Sequence, residues 1–262
     1  MRFPPPDREH SRRPPLALQD RDRDLLRTAH EYRLISTPQY LRLFSTESRD
    51  AIYTRLQKLF HHGYLDRLGE NPNTPLIYAL GRRGAEVLEV SRRKEVGARY
   101  LAHQLMIGDF RIAVTLAARA KGIILTWRTI PQALPVRPDG FFSLHFPDHP
   151  EGRNRAHFCL EADRSTMTRE RFVDKLRAYH AWQAAGGHTR SLGIRTFRVL
   201  SVTKSEERLR SLVAAVAHHP ALGSEPSRFW FTALPRIEAA GGVLQTIWGV
   251  PDASGCLRSV LP

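Results

Sequence analysis

At 262 residues, with 42% hydrophobic and 25% charged residues, the chain has the composition of a globular protein able to fill one large core or two modest ones, which excludes a disordered polymer. Lys and Arg number 40 against 26 Asp and Glu, a formal +14, and only five of the forty are Lys; guanidinium pairs bidentately with phosphate, so the excess points to a polyanion, double-stranded DNA before an acidic membrane, although coding bias inflates the same count. Two cysteines without ligand or disulfide spacing, a basic N-terminus without an apolar segment and no run of 18 apolar residues argue against a zinc finger, a signal peptide and a membrane span, and lead to the expectation of a soluble cytoplasmic protein.

Residues 1–17, with three consecutive prolines and Arg2, Arg8, Arg12 and Arg13, read as a flexible basic arm. From Leu18 the periodicity is helical, with Asp20, Asp22 and Asp24 in the first turns. STPQYLRLF follows as a short helix capped at Ser36 or Thr37, with Pro38 in its first turn. A third helix opens at Ser45 or Thr46, buries Ile52, Leu56, Leu59 and Phe60, and ends at Gly63. GYLDRLG and LIYALG then read as strands joined at NPNTP, and a helix from about Arg82 to Arg93 closes the block. Three helices and a hairpin, over residues 18–96, are the order of a winged helix-turn-helix; a helical protein-interaction domain has the same outline. On the third helix Thr54, Gln57 and Lys58 lie opposite the apolar face, with Arg49, Tyr53 and Arg55 on its flanks. They are the candidate DNA contacts, the polar side chains for base edges and the cations for phosphates. Asp50 shares that exposed side and would be repelled by phosphate.

The second part, 97–250, reads as a long helix from Ala98 to about Ala120 and then β-β-β-α-β-α-β, an α/β sheet with helices on its faces within a chain that is α+β overall. In RAHFCLEAD, alternation sets Phe158, Leu160 and Ala162 on one face and His157, Cys159, Glu161 and Asp163 on the other. With Asp139 on a neighbouring strand, two carboxylates would stand together, as in a Mg²⁺ site for phosphodiester hydrolysis. Pro138-Asp139 followed by Glu161-x-Asp163 resembles the PD-(D/E)xK nuclease core, a restriction-endonuclease-like fold. The resemblance implies catalytic roles for Asp139, Glu161 and the position held by Asp163, where that family carries Lys, with Lys175 on the next helix or, less well placed, Arg164 as the substitute cation. Metal ligation falls to Asp139 and Glu161, with Asp109 as a further ligand. An inactive fold used for binding or dimerisation is equally open. The last residues, 251–262, read as a tail that is either a closing strand or a docking segment.

From Leu18 to Arg208 the chain resembles the replication-relaxation family of plasmid and mobile-element proteins. The segments that carry the likeness are LQDRDRDLLRTAHEYRLISTPQYLRLF, LFHHGYLDRL, HQLMIGDFRIAVTLAAR and RPDGFF, followed by a strand ending in acidic-x-Asp, a Thr, and a helix with Lys and Tyr: Glu161, Asp163, Thr166, Lys175 and Tyr179. The likeness implies DNA binding in control of plasmid replication or relaxation at an origin. Separately, because one such module binds weakly and pairs of them match two half-sites, a homodimer is expected, with replication or transfer proteins as further partners. A metal-dependent nuclease or nickase and a transcriptional repressor are the alternatives.

Overall fold

The computed structural model describes residues 16–68, 74–92, 97–131, 133–252 and 256–262, and in α5 (Ala98–Ala120) it leaves the side chains of residues 98 and 99 undescribed. The N-terminal arm and the hairpin tip therefore lie, wholly or mostly, outside the described residues. The chain divides into two compact units, 1–112 and 113–262, and helices and sheets are mixed throughout. No helix among the described residues is long and apolar enough to cross a membrane.

The first unit begins with α1 (Asp20–Tyr32), where the Asp22 carboxylate accepts from the Gln19 backbone N–H at 2.6 Å. The short strand β1 (Ile35–Ser36) leads into α2 (Thr37–Leu43). Ser36 caps α2 reciprocally: its hydroxyl accepts from Gln39 N–H and its own N–H donates to the Gln39 side chain, so two otherwise orphan donors are satisfied. α3 (Arg49–His61) is capped by Ser48, whose hydroxyl accepts from Ala51 N–H at 3.1 Å. The expected caps, Ser45 and Thr46, lie instead in a turn closed by Glu47 N–H on Phe44 O. Gly63 ends α3 with φ +73°, the left-handed geometry a helix C-terminus demands. β2 (Leu65–Leu68) and β3 (Ile77–Leu80) then pair antiparallel, and with β1 give a sheet in the order β1-β3-β2. α4 (Arg82–Leu88) is shorter than expected, stopping where Glu89 turns left-handed. Leu25, Leu26, Ala29, Tyr40, Ile52, Leu56 and Leu59 are all buried in this unit. The first unit ends within α5.

The second unit is built on a seven-stranded sheet in the order β10-β9-β8-β7-β6-β5-β4. β4 (Ile124–Arg128), β5 (Gly140–His145) and β6 (Arg155–Asp163) form an antiparallel meander. α6 (Arg169–Ala184) and α7 (Gly187–Leu192) then cross to β7 (Arg198–Thr203), parallel to β6. α8 (Glu206–Ala217) and the one-turn α9 (Pro220–Gly223) cross to β8 (Phe229–Ala233), parallel to β7. After α10 (Leu234–Ala239), the two-residue strands β9 (Trp248–Gly249) and β10 (Leu257–Arg258) extend the far edge. Residues of the last segment thus join the sheet, which answers the question its sequence leaves open. Phe172, Leu176, Tyr179 and Trp182 of α6 and Leu209, Leu212 and Val216 of α8 pack on Phe141, Cys159, Val199, Phe229 and Phe231. These two helices therefore cover one face of the sheet from Phe141 and Cys159 across β7 and β8.

Candidate functional site

In α3 the apolar positions Ile52, Leu56 and Leu59 are buried, while Arg49, Asp50, Tyr53, Thr54, Gln57 and Lys58 are exposed. Five of the six residues singled out on this helix therefore share an open surface. Tyr53, at 41% exposed, is a large side chain left without cover.

Arg55 departs from expectation. It turns inward to 8% exposure, and its guanidinium grips both oxygens of the fully buried Asp22 and donates to Ala17 O at 3.0 Å. Hydrogen bonding to Asp22, only partly opposed by burial, raises the Arg55 pKa. A guanidinium committed on this scale is not available to phosphate; it ties α3 to α1.

Two cations outside the helix, Arg67 and Arg83, stand at the C-terminal end of α3. Arg67 of β2 lies 4.4 Å over the Phe60 ring, and Arg83 of α4 lies 4.7 Å over Tyr64 and donates to His62 O. Leu65 and Leu68 are buried with Asp66 and Arg67 half-buried between them, a pattern that strict alternation does not give, so the sequence carries no clear signal for Arg67.

The second unit assembles three of the four catalytic candidates. Asp139 falls one residue before β5 and not within a strand, yet its N–H donates to Leu160 O and its carboxylate accepts from Ala162 N–H, both at 2.9 Å. That clasp sets it beside Glu161. The Glu161 side chain is 4% exposed, with Lys175 Nζ donating to Oε2 at 2.5 Å and the Tyr179 hydroxyl to Oε1 at 2.6 Å. Burial, and then the nearby charge of Asp139, push the Glu161 pKa up to about 8. Burial works against the Lys175 ammonium, but the charges of Glu161 and Asp139 outweigh it and raise that pKa. Lys175 is 23% exposed at its side chain and Asp139 is half-buried, so the cluster opens to solvent on that side.

Asp163 is engaged elsewhere: Arg208 of α8 donates to it through Nε at 2.6 Å and to Met167 O at 2.7 Å. Nothing in the sequence marks Arg208 for this, since 45 positions separate the pair. Asp109 also has other partners, accepting from Gln39 Nε2 at 3.0 Å and Arg42 at 3.2 Å within the first unit. Burial raises its pKa against these two bonds.

Asp139 and Glu161 are hard oxygen donors of the kind Mg²⁺ takes singly or in pairs while keeping several waters, and in donor chemistry they fit such an ion. They form a pair and no more: among the described residues no three His, Cys, Asp or Glu side chains are grouped to hold a metal.

A family model described as replication-relaxation matches residues 26–196, well over half of the chain. Comparison with curated proteins and with solved structures gives no match.

Proposed function

The chain belongs to the replication-relaxation family, and from that premise we propose that it binds double-stranded DNA through a winged helix-turn-helix in its first unit, acting in the control of plasmid or mobile-element replication or relaxation. The observation that carries this reading is the exposed face of α3, where Arg49, Tyr53, Thr54, Gln57 and Lys58 lie together while Ile52, Leu56 and Leu59 hold the helix to its core. Thr54 and Gln57 are the hydrogen-bonding side chains for base edges; Arg49 and Lys58 are the phosphate contacts. One such helix binds weakly, and a dimer on two half-sites supplies the remaining affinity.

The test is fluorescence anisotropy with duplexes selected from a random library. Lys58→Ala weakens binding to every sequence by about 1 kcal/mol and lowers the salt slope by about one, whereas Gln57→Ala relaxes preference at one base position. Unaltered binding in both variants would move the interface off α3.

A second reading, metal-dependent cleavage of DNA by the second unit, is favoured by one observation: Asp139, Glu161 and Lys175 converge. Asp139 and Glu161 would hold Mg²⁺, which supplies phosphodiester polarisation and an activated water when bound. Lys175 would compensate the Glu161 carboxylate once it gives up its proton, and Tyr179 fixes its orientation. Metal-dependent nicking of supercoiled plasmid, lost in Asp139→Ala, supports this reading; intact but retarded plasmid discards it.

A further inference from the structure

The antiparallel corner of the second unit carries a basic strip that neither α3 nor the carboxylate cluster uses. Arg128, Phe141 and Cys159 stand opposite one another across β4, β5 and β6; so do Thr126, Ser143 and His157, and so do Ile124, His145 and Arg155. Directly opposed residues share a face, and the contacts agree. The Arg128 guanidinium lies 5.4 Å from the Phe141 ring centre and donates through one Nη to Leu192 O at 3.2 Å, among the described residues a single neutral partner, which leaves its charge and other N–H groups uncommitted; His157 stacks on the same ring at 6.4 Å, and Ser143 Oγ is 2.7 Å from His157 Nδ1.

The cluster beneath α6 and α8 takes in Phe141 and Cys159. Beyond it, Thr126, Arg128 and Arg155 are exposed and Ser143, His145 and His157 half-buried. No strand position on this part of the face is a carboxylate. The nearest in sequence, Asp148 and Glu151, lie in the turn between β5 and β6, and farther along β6 Glu161 and Asp163 are held by Lys175, Tyr179 and Arg208. Burial, and then the charges of Arg128 and Arg155, push the His157 pKa down.

We propose that this strip, formed by Arg128, Thr126, Ser143, His157 and Arg155, is a second nucleic-acid contact that takes the phosphodiester backbone of DNA. Strand rise and spacing set the backbones of Arg128 and Arg155 about 16 Å apart, a span for an extended polyanion and too wide for one free anion. The guanidiniums pair with phosphates while the hydroxyls and imidazole offer shorter-reach bonds. Ile124 is the one large apolar side chain exposed on the strip, too little for insertion into a lipid surface. Residues 113–262 hold 20 Lys and Arg against 12 Asp and Glu, a net +8 of the chain's +14, so this unit is at least as suited to a polyanion as the first. The choice of DNA as the polyanion rests on the reading of α3; the strip's residues do not.

The test uses the full chain and a random-sequence duplex, with Thr126→Asp and Arg155→Ala made both alone and in a Lys58→Ala background. Each weakens binding about fivefold or more in either background, and Arg155→Ala lowers the log–log salt slope by about one. In histidine-selective NMR of the wild-type chain, added duplex raises the His157 pKa, because bound phosphate supplies the missing negative charge. Unchanged affinity and slope in both strip variants, with His157 unmoved by duplex, would overturn the proposal. So would poly-glutamate or anionic vesicles binding the strip as tightly as duplex, since the partner would then be an acidic protein or a membrane. Strip effects without a Lys58→Ala effect sink the α3 reading and leave the strip standing; the reverse sinks the strip alone.

Discussion

Asp22 and Arg55 show how much one buried pair decides. Asp22 is fully buried, and the Arg55 side chain is 10% exposed. Removing one partner from such a pair strands the other charge out of water, which costs about 3 kcal/mol or more, whereas replacing both by apolar groups recovers most of the loss. Arg55→Met is therefore expected to lower the urea midpoint of the first unit sharply and Asp22→Leu/Arg55→Met to restore much of it; equal loss in single and double variants would deny that the stranded charge is the cause. Lys58→Ala, on the exposed face, leaves the unfolding free energy of that unit within about 0.5 kcal/mol. Glu161 gives the corresponding prediction in pH. Its carboxyl keeps its proton to about 8 in the folded chain against an ordinary value of 4.5, so the folded state binds the extra proton. Stability from this residue is full below its ordinary value and is lost as pH rises through about 8. Glu161→Gln removes the ionisation, so the Tm of the wild type, measured against that variant, falls steadily between those limits. A difference in Tm that does not change with pH would mean that Glu161 titrates as an exposed carboxyl does.

At the level of elements, the turn from α3 into β2 rests on Gly63. Its φ of +73° is a conformation other residues enter at a cost, and an added Cβ would meet nothing nearer than Arg83 Cδ at 3.6 Å. The penalty for Gly63→Ala is thus conformational and not steric, about 1 kcal/mol. The variant should lower thermal stability by that amount while keeping the exposed face of α3, and hence its DNA affinity below the new Tm. Affinity lost well below that temperature would show that the turn also aims the helix. Gly63 was legible from sequence because a helix end is a local event, as were the Ser36 cap, the exposed positions 49, 53, 54, 57 and 58, and the alternation that puts Glu161 and Asp163 on one face of β6. What escaped was settled by distant partners. Arg55 stands three residues after Ile52 and four before Leu59, on the edge of the apolar stripe, but only Asp22, 33 positions upstream, turns it inward. Asp109 is drawn to Gln39 and Arg42, and Asp163 to Arg208, pairings that no local pattern encodes. Lys175 is the contrary case: its place near the face of α6 that buries Leu176 and Tyr179 was enough to bring it to Glu161.

For the whole molecule the question is how many of its cations meet DNA at once, and charge alone can answer it. Residues 1–112 carry 20 Lys and Arg against 14 Asp and Glu, and residues 113–262 carry 20 against 12, so the excess of +14 is divided almost evenly. Each phosphate neutralised releases counterions and adds about 0.9 to the slope of log affinity against log salt. If Arg49 and Lys58 alone met phosphate, the slope would be about 2 for each bound chain, and affinity for a random duplex would fall about tenfold per chain between about 50 and 200 mM salt. With Arg128 and Arg155 engaged as well, the slope approaches 4 and the fall exceeds about a hundredfold over the same range. The steeper dependence is the expected result for the full chain, measured by anisotropy across that interval. A slope near 2 per bound chain would confine binding to the first unit, and a flat response would remove the electrostatic case for nucleic acid altogether, leaving the Arg excess as a feature of composition.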